Sequence, residues 1–431
     1  MTTYTDPLFV RRLAEVLLHG TWARLALRAR AWHGYPDDRQ LLTQIVEKVW
    51  DQFDSVRPKL KILAAFLNET ISAHPHEPDI RRVSLRRPKM TPRWPVPALA
   101  TAGKLAAWLD LPIGRLDWLA DVKGLTIKQT EPKLRHYVNV WIPRRRGKPR
   151  LLEVPKPQLK AIQRRILHAI LDKIPPHDAA HGFRVGRSIV SYVQPHVGRR
   201  IVLRFDLRDF FASVSAARVQ ALFRTAGYPR GVARMLCGLC TTRTPEDVAP
   251  LEPRWRARHL PQGAPTSPAL ANLATYRLDV RLQALALALN AKYTRYADDL
   301  AFSGDQRLMR AARRVQILVA VVAAEEGFEL NFRKSRFMRE GVRQQLAGVV
   351  VNVRPNPRRA IYDELKATLH NCVRHGPATQ NRAGCADFRR QLLGRVGYVK
   401  FLNPPRGAKL RALFDRIIWP DESPNNISSA S

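Results

Sequence analysis

The sequence predicts an α+β fold, an antiparallel sheet packed on helices, with separate helical regions before and after it. Three observations predict it. Apolar residues recur at spacings of three and four towards both ends of the chain, short runs of β-formers alternate with helical stretches in the middle, and two of those runs lead into carboxylates.

At 431 residues, 45% of them hydrophobic, the chain can bury two or three cores rather than one. Leu13, Val16, Leu17, Ile45, Val49, Phe53, Ile62 and Phe66 carry helical spacing from Pro7 onward and define a helical N-terminal extension, residues 1–73. His74 to Pro97 then holds six prolines with Arg81, Arg82, Arg86 and Arg87, which neither a helix nor a central strand tolerates. This linker and the short helical stretch Leu99–Val122 fill residues 74–130. A strand follows at His136–Ile142, then the basic turn Pro143–Pro149, and helices alternate with β-rich segments as far as Asn352, giving a mixed region of 131–352. Residues 353–420 return to a basic helical pattern, and the Ser-, Asn- and Pro-rich 421–431 is expected to be disordered.

Charge narrows the partner. Lysine and arginine number 73 against 36 acids, a formal charge of +37, which on a foldable chain calls for a polyanion. The basic residues run along the whole chain rather than forming one juxtamembrane cluster, so nucleic acid is expected rather than an anionic membrane. No run of 18 apolar residues predicts a membrane span, and Met1-Thr2-Thr3-Tyr4 does not open a signal peptide. Four cysteines are a cytosolic usage, so a cytoplasmic location is expected. Cys237 and Cys240 have C-x-x-C spacing, but Cys372 and Cys385 form no second pair, which favours packed helical cysteines over zinc.

The segment Arg295-Tyr296-Ala297-Asp298-Asp299-Leu300, flanked by Tyr293 and by Ala301 and Phe302, suits a hairpin whose turn presents two carboxylates. Adjacent acids in a turn are often merely solvated. A second acid changes the reading, because the β-formers Ile201–Phe205 end in Asp206. Three carboxylates from two neighbouring strands are what a pair of hard divalent ions requires, with Mg²⁺ the expected metal and Mn²⁺ a substitute.

The chain resembles a known family at these residues. Tyr296-Ala297-Asp298-Asp299 looks like the YxDD box of reverse transcriptases, and Asp206 in Phe205-Asp206-Leu207-Arg208-Asp209-Phe210-Phe211 looks like the first catalytic aspartate of the same palm. Further blocks follow in the family's order. They are Gly147-Lys148-Pro149-Arg150 with Leu159, Lys160 and Gln163; His181-Gly182-Phe183-Arg184 with Arg187-Ser188-Ile189; Leu260 to Pro268 with Asn272; and Gly327-Phe328 with Asn331 and Lys334. The resemblance implies a right-hand polymerase with fingers and palm over 131–352, a helical thumb over 353–420, and two Mg²⁺ ions on Asp206, Asp298 and Asp299. It implies deoxynucleotide binding by Lys148, Arg150, Leu207, Phe211, Gln262 and Gly263, with Lys334 catalytic towards pyrophosphate.

Each role has a bland alternative. Lys148 and Arg150 supply charge-assisted donors for a triphosphate, or form an ordinary basic hairpin tip. Gln262 and Gly263 permit close backbone approach near the nucleotide, or make a plain turn. Phe211 stands five residues after Asp206, where a ring would exclude a ribose hydroxyl; consecutive residues point to opposite sides, so one of Phe210 and Phe211 belongs to the core. Lys334 neutralises departing pyrophosphate, or is simply exposed.

The particular resemblance is to bacterial retron enzymes, with two departures. Their Asn-Ala-x-x-His element is Tyr192-Val193-Gln194-Pro195-His196 here, and their Val-Thr-Gly is Leu346-Ala347-Gly348. The resemblance implies a structured noncoding RNA as template and primer, contacted by Arg184, Arg187, His196 and Gly348. The enzyme would prime from a guanosine 2′-hydroxyl, make branched RNA-DNA and serve in defence against phage. A thumb rich in arginine suits RNA read by shape and phosphate. For the N-terminal 130 residues an RNA clamp is the preferred reading and a docking surface for an effector protein the other. A group II intron-like enzyme is disfavoured, since 79 residues follow Asn352; a stand-alone defence reverse transcriptase and a non-catalytic RNA-binding protein are the remaining alternatives.

Overall fold

Helical spacing near the start of the chain produces four helices, α1 (Pro7–Leu17), α2 (Arg24–Gly34), α3 (Arg39–Phe53) and α4 (Leu60–Ser72). The computed structural model describes residues 7–34, 39–72, 90–126, 129, 131–143, 149–248 and 253–419. It divides into two compact units, one ending at Lys89 and one beginning at Met90. Leu13, Leu17, Ile45 and Val49 are buried in the core of the first unit beside Leu27, Leu42, Leu63 and Leu67, while Val16, Phe53 and Phe66 pack at its edge. Ile62 departs from expectation: it sits in the first turn of α4 and is 54% exposed. Arg81, Arg82, Arg86 and Arg87 of the linker, Lys148 of the basic turn and the tail from Pro420 lie outside the described residues.

The second unit opens with α5 (Ala102–Leu109) and α6 (Ile113–Ala120), each ending on an aspartate in left-handed backbone. Six residues of β-formers then make β1 (Tyr137–Ile142), which pairs antiparallel with β2 (Arg150–Pro155). Helix α7 (Pro157–Ala169) starts on a proline, and the short α8 (Ile189–Val193) is held by a capping box between Ser188 and Ser191.

Strand β3 (Ile201–Asp206) is buried on both faces except at Arg204, the pattern of a central strand. After it come α9 (Ala216–Thr225), α10 (Arg230–Cys240), α11 (Pro253–Arg256), α12 (Ser267–Ala274) and α13 (Tyr276–Ala288). Cys237 and Cys240 are buried in α10. The hairpin of β4 (Lys292–Tyr296) and β5 (Asp299–Gly304), then α14 (Gln306–Glu325) and β6 (Arg336–Arg339), complete an antiparallel sheet of order β4-β5-β3-β6. One continuous core, including Leu203, Phe205, Phe302, Val315 and Val319, joins this sheet to the helices.

A minimal hairpin follows, β7 (Gln345–Leu346) and β8 (Val349–Val350). Its two-residue turn, Ala347 and Gly348, has both φ angles positive (44° and 90°), as a tight hairpin turn requires. Three helices close the unit: α15 (Arg359–His375), α16 (Phe388–Leu402) and α17 (Pro404–Phe414), packed around Leu369, Leu392, Val396, Leu410 and Phe414.

Candidate active site

Strand register brings the acids together. β3 and β5 run antiparallel with Asp206 directly opposite Asp299, and Asp298 occupies the turn between β4 and β5. Backbone hydrogen bonds fix both strand ends: the Leu207 amide donates to the Asp298 carbonyl (2.9 Å) and the Asn331 amide to the Asp206 carbonyl (2.8 Å).

Each outer acid has a cationic partner. Lys334 Nζ donates to Asp206 Oδ1 (2.9 Å) and Oδ2 (3.0 Å), and Asp206 is only 3% exposed. Arg204 Nε and Nη2 donate to Asp299 Oδ1 at 2.9 and 2.6 Å. Burial, then the neighbouring carboxylates of Asp299 and Asp206, push the Asp298 carboxyl up to about 6. Burial also raises Asp299, against the opposing effect of Arg204.

The donor set fits hard divalent cations in kind, being all carboxylate oxygen, and the excess negative charge felt by Asp298 is what bound cations would relieve. As the side chains lie, no three acidic, histidine or cysteine groups among the described residues form a ready metal cage. The ammonium of Lys334 and the guanidinium of Arg204 hold the oxygens of Asp206 and Asp299 instead. Asp206, Asp298 and Asp299 are the residues that would hold the ions.

Around the acids, Phe210 is core and packs on Phe328 (ring centroids 5.9 Å apart), whereas Phe211 is half-buried and faces Phe183 (6.4 Å). Phe183 in turn faces Tyr296 (6.4 Å), so an aromatic wall runs from the residue after the core phenylalanine to the hairpin tip. Gly263 is exposed with φ of +137°, and a Cβ there would lie 3.1 Å from the Glu153 carbonyl, so the loop of Gln262 and Gly263 lies against β2. Arg150 is exposed at the start of β2. Arg184 and Arg187 both reach the exposed carboxylate of Asp178, at 3.3 and 3.7 Å.

One expectation needs correction. His196 is 0% exposed, with Nδ1 on Ser303 Oγ (2.6 Å) and Nε2 on Thr294 Oγ1 (2.7 Å), so it braces the sheet and has no free edge for RNA. Burial drives its pKa down to about 3, which keeps it neutral. Leu207 is buried, and its amide donates to the Asp298 carbonyl, which supports the tip. Gly348 takes the second position of the β7–β8 turn, where a Cβ would meet open space and the positive φ favours glycine.

Comparison with known proteins bears on this geometry. A family model described as reverse transcriptase (RNA-dependent DNA polymerase) matches residues 142–360. The chain is 41% identical over 325 residues to the retron Mx65 reverse transcriptase of Myxococcus xanthus, covering 74% of this chain and 72% of that protein. The chain belongs to the retron-type reverse transcriptases. It is also 36% identical over 328 residues to the retron Mx162 reverse transcriptase of the same organism (72% of this chain, 65% of that one). With the retron Ec86 reverse transcriptase of Escherichia coli it shares 32% identity over 223 residues (52% and 65%). Members of this family are RNA-directed DNA polymerases that take an RNA template, yield DNA and generally use divalent metal ions. Among the described residues no helix is long and apolar enough to cross a membrane.

Sequence reading missed several residues of this retron-type site. Arg204 lies two positions before Asp206 on one strand, so period-two alternation already put it on the same face as that acid. Glu153 interrupts the apolar run Leu151-Leu152-Glu153-Val154, a signal in itself. Its Oε1 accepts from the Thr244 hydroxyl (2.7 Å), its Oε2 faces His259 Nε2 (3.0 Å) and its amide donates to the Gln262 carbonyl (2.9 Å), which fastens that loop to β2.

Proposed function

We propose that this reverse transcriptase copies a structured noncoding RNA into DNA by two-metal-ion nucleotidyl transfer at Asp206, Asp298 and Asp299, with residues 131–352 as fingers and palm and 353–420 as thumb. One observation carries the reading: Asp206 stands opposite Asp299 in register, with Asp298 close enough to both to feel their charge. When bound, divalent ions lower the barrier by activating the attacking hydroxyl and stabilising the leaving pyrophosphate.

The chain's own residues do the rest. Arg204 and Lys334 offset the charge of the outer carboxylates, and the half-exposed ammonium of Lys334, with a third N–H beyond the two given to Asp206, neutralises pyrophosphate. Phe211 bounds the sugar, and the loop of Gln262 and Gly263, fastened by Glu153, supports the nucleotide. Lys148 and Arg150 meet the triphosphate, while Arg184 and Arg187 lie towards the RNA backbone.

As in the retron reverse transcriptases it resembles, the template is RNA made from the same locus, primed at a guanosine 2′-hydroxyl, and the product is branched RNA-DNA that serves against phage together with an effector protein. Purified protein with primed RNA, Mg²⁺ and labelled deoxynucleotides should extend the primer, and Asp298→Asn should abolish extension. Extension by the variant at the parental rate would remove the catalytic assignment. Expression with the DNA that flanks its gene should yield DNA whose 5′ end stays joined to RNA until a debranching enzyme is added; free-ended DNA would sink the branched product while leaving polymerisation standing.

A further inference from the structure

Ala297 has φ of +54°, left-handed backbone that an alanine adopts only when its surroundings impose it. It immediately precedes Asp298. The two-residue turn between β4 and β5 asks for that conformation, and the side chain that holds its carbonyl is Arg295, 0% exposed and the largest fully buried side chain of the described residues. Its Nη1 donates to the Ala297 carbonyl (3.1 Å) and to Asn272 Oδ1 (2.9 Å). Its Nε and Nη2 each donate to Asp279 at 2.8 Å, and Asp279 also accepts from the Tyr293 hydroxyl (2.7 Å).

The network reaches further than the hairpin. Asn272 Nδ2 donates to the Gly182 carbonyl (2.8 Å), and a Cβ on Gly182 would lie 2.8 Å from the Ala297 nitrogen, so the loop before Phe183 closes directly over the turn. The backbone of Arg295 is held on both sides, its amide by the Ala179 carbonyl (2.7 Å) and its carbonyl by the His181 amide (2.8 Å).

We propose that Arg295, oriented by Asp279 and Asn272, is a positioning residue for catalysis: it fixes the peptide after Ala297 and thereby aims the Asp298 carboxylate. The inference rests on the reading of Asp298 as a metal-binding acid. A guanidinium suits the task because its rigid fork spreads donors over three nitrogens that face three separate acceptors, whereas a lysine gathers all of its donors on one atom. Asp279 is the counter-charge that lets the fork be buried at all.

Two variants test it, each checked first by thermal melting. Arg295→Lys keeps a cation for Asp279 and releases the Ala297 carbonyl; the pair Arg295→Met with Asp279→Leu removes both charges together, which often leaves a buried site stable. Both should fold and lose about 100-fold in kcat for RNA-templated extension, the order expected of a catalytic group displaced by about 1 Å. The KM for deoxynucleotide should change by less than about threefold, since substrate binding is not what is lost. Adding Ala297→Gly, which accepts left-handed backbone without strain, should restore much of the rate. Folded variants with parental kcat, a loss confined to KM, or no recovery on adding Ala297→Gly would each overturn the positioning role. Asp298→Asn run in parallel separates the two failures. If it is dead while the Arg295 variants are fully active, only the positioning inference falls; if it is active, the site reading falls and takes the inference with it.

Discussion

A carboxyl held near pH 6 is a thermodynamic burden as well as a tool. Asp298 releases its proton at about 6 in the fold and at about 4 in the unfolded chain. Between those values the folded state binds the extra proton, so stability falls as pH rises from about 4 to about 6, and the full cost persists above that. In metal-free protein at pH 7.5, Asp298→Asn should therefore raise stability by on the order of 1–3 kcal/mol, read as a higher Tm, with the gain fading towards pH 4. A Tm unchanged or lowered at pH 7.5 would contradict it. At Phe211 the ring is half-buried beside Phe183, so Phe211→Val should relax discrimination against ribonucleotides by about tenfold or more, measured as the ratio of kcat/KM values. The three aspartates and Phe211 were legible in the sequence because strand runs ending in acids and short ordered blocks are local features. Arg295, Asp279 and Asn272 were not legible as one network, because the tertiary fold alone brings α12 and α13 against β4. His196 misled for the opposite reason: its place in a short block that resembles a retron element implied an RNA contact, while burial turned both of its nitrogens onto hydroxyls.

Among the helices, three glycines of similar appearance in sequence have different standing. Gly407 in α17 sits where a Cβ would come within 2.2 Å of the Lys400 Cα in α16, so the two helices cross in contact at that point. Gly394 and Gly397 lie mid-helix in α16 with open space where a Cβ would be. Gly407→Ala should then destabilise the three-helix packing by about 1–3 kcal/mol, as overpacking does. Gly394→Ala and Gly397→Ala should each stabilise it by up to about 1 kcal/mol through helix propensity. Urea unfolding followed at Trp419, which packs in that core, measures all three; a neutral Gly407→Ala would show that the crossing yields easily to an added methyl. The existence of α15, α16 and α17 follows from helical spacing, but which glycine is a contact depends on how the helices cross. The β7–β8 hairpin shows the same limit, since Ala347 carries a positive φ without any residue preference to announce it.

At the scale of the whole chain, charge is unevenly shared. Residues 1–72 hold ten lysines and arginines against eight acids, so nearly all of the +37 belongs to the remainder. A nearly neutral four-helix unit gains little from neutralising phosphates, which weakens the reading of an RNA clamp for that part and favours a protein-docking role. Salt dependence distinguishes them, because each phosphate neutralised contributes about −0.7 to −0.9 to the slope of log K against log salt concentration. The intact protein should bind structured RNA with a steep slope, and a chain lacking residues 1–72 should keep that slope to within about one. Charge-removing substitutions at Arg390, Lys400 and Lys409 of the C-terminal helices should instead flatten it by about one for each phosphate left without its cation. A truncated protein whose slope dropped by several, at equal folded fraction, would return the N-terminal helices to the RNA, through local clusters of charge that their net balance does not foretell.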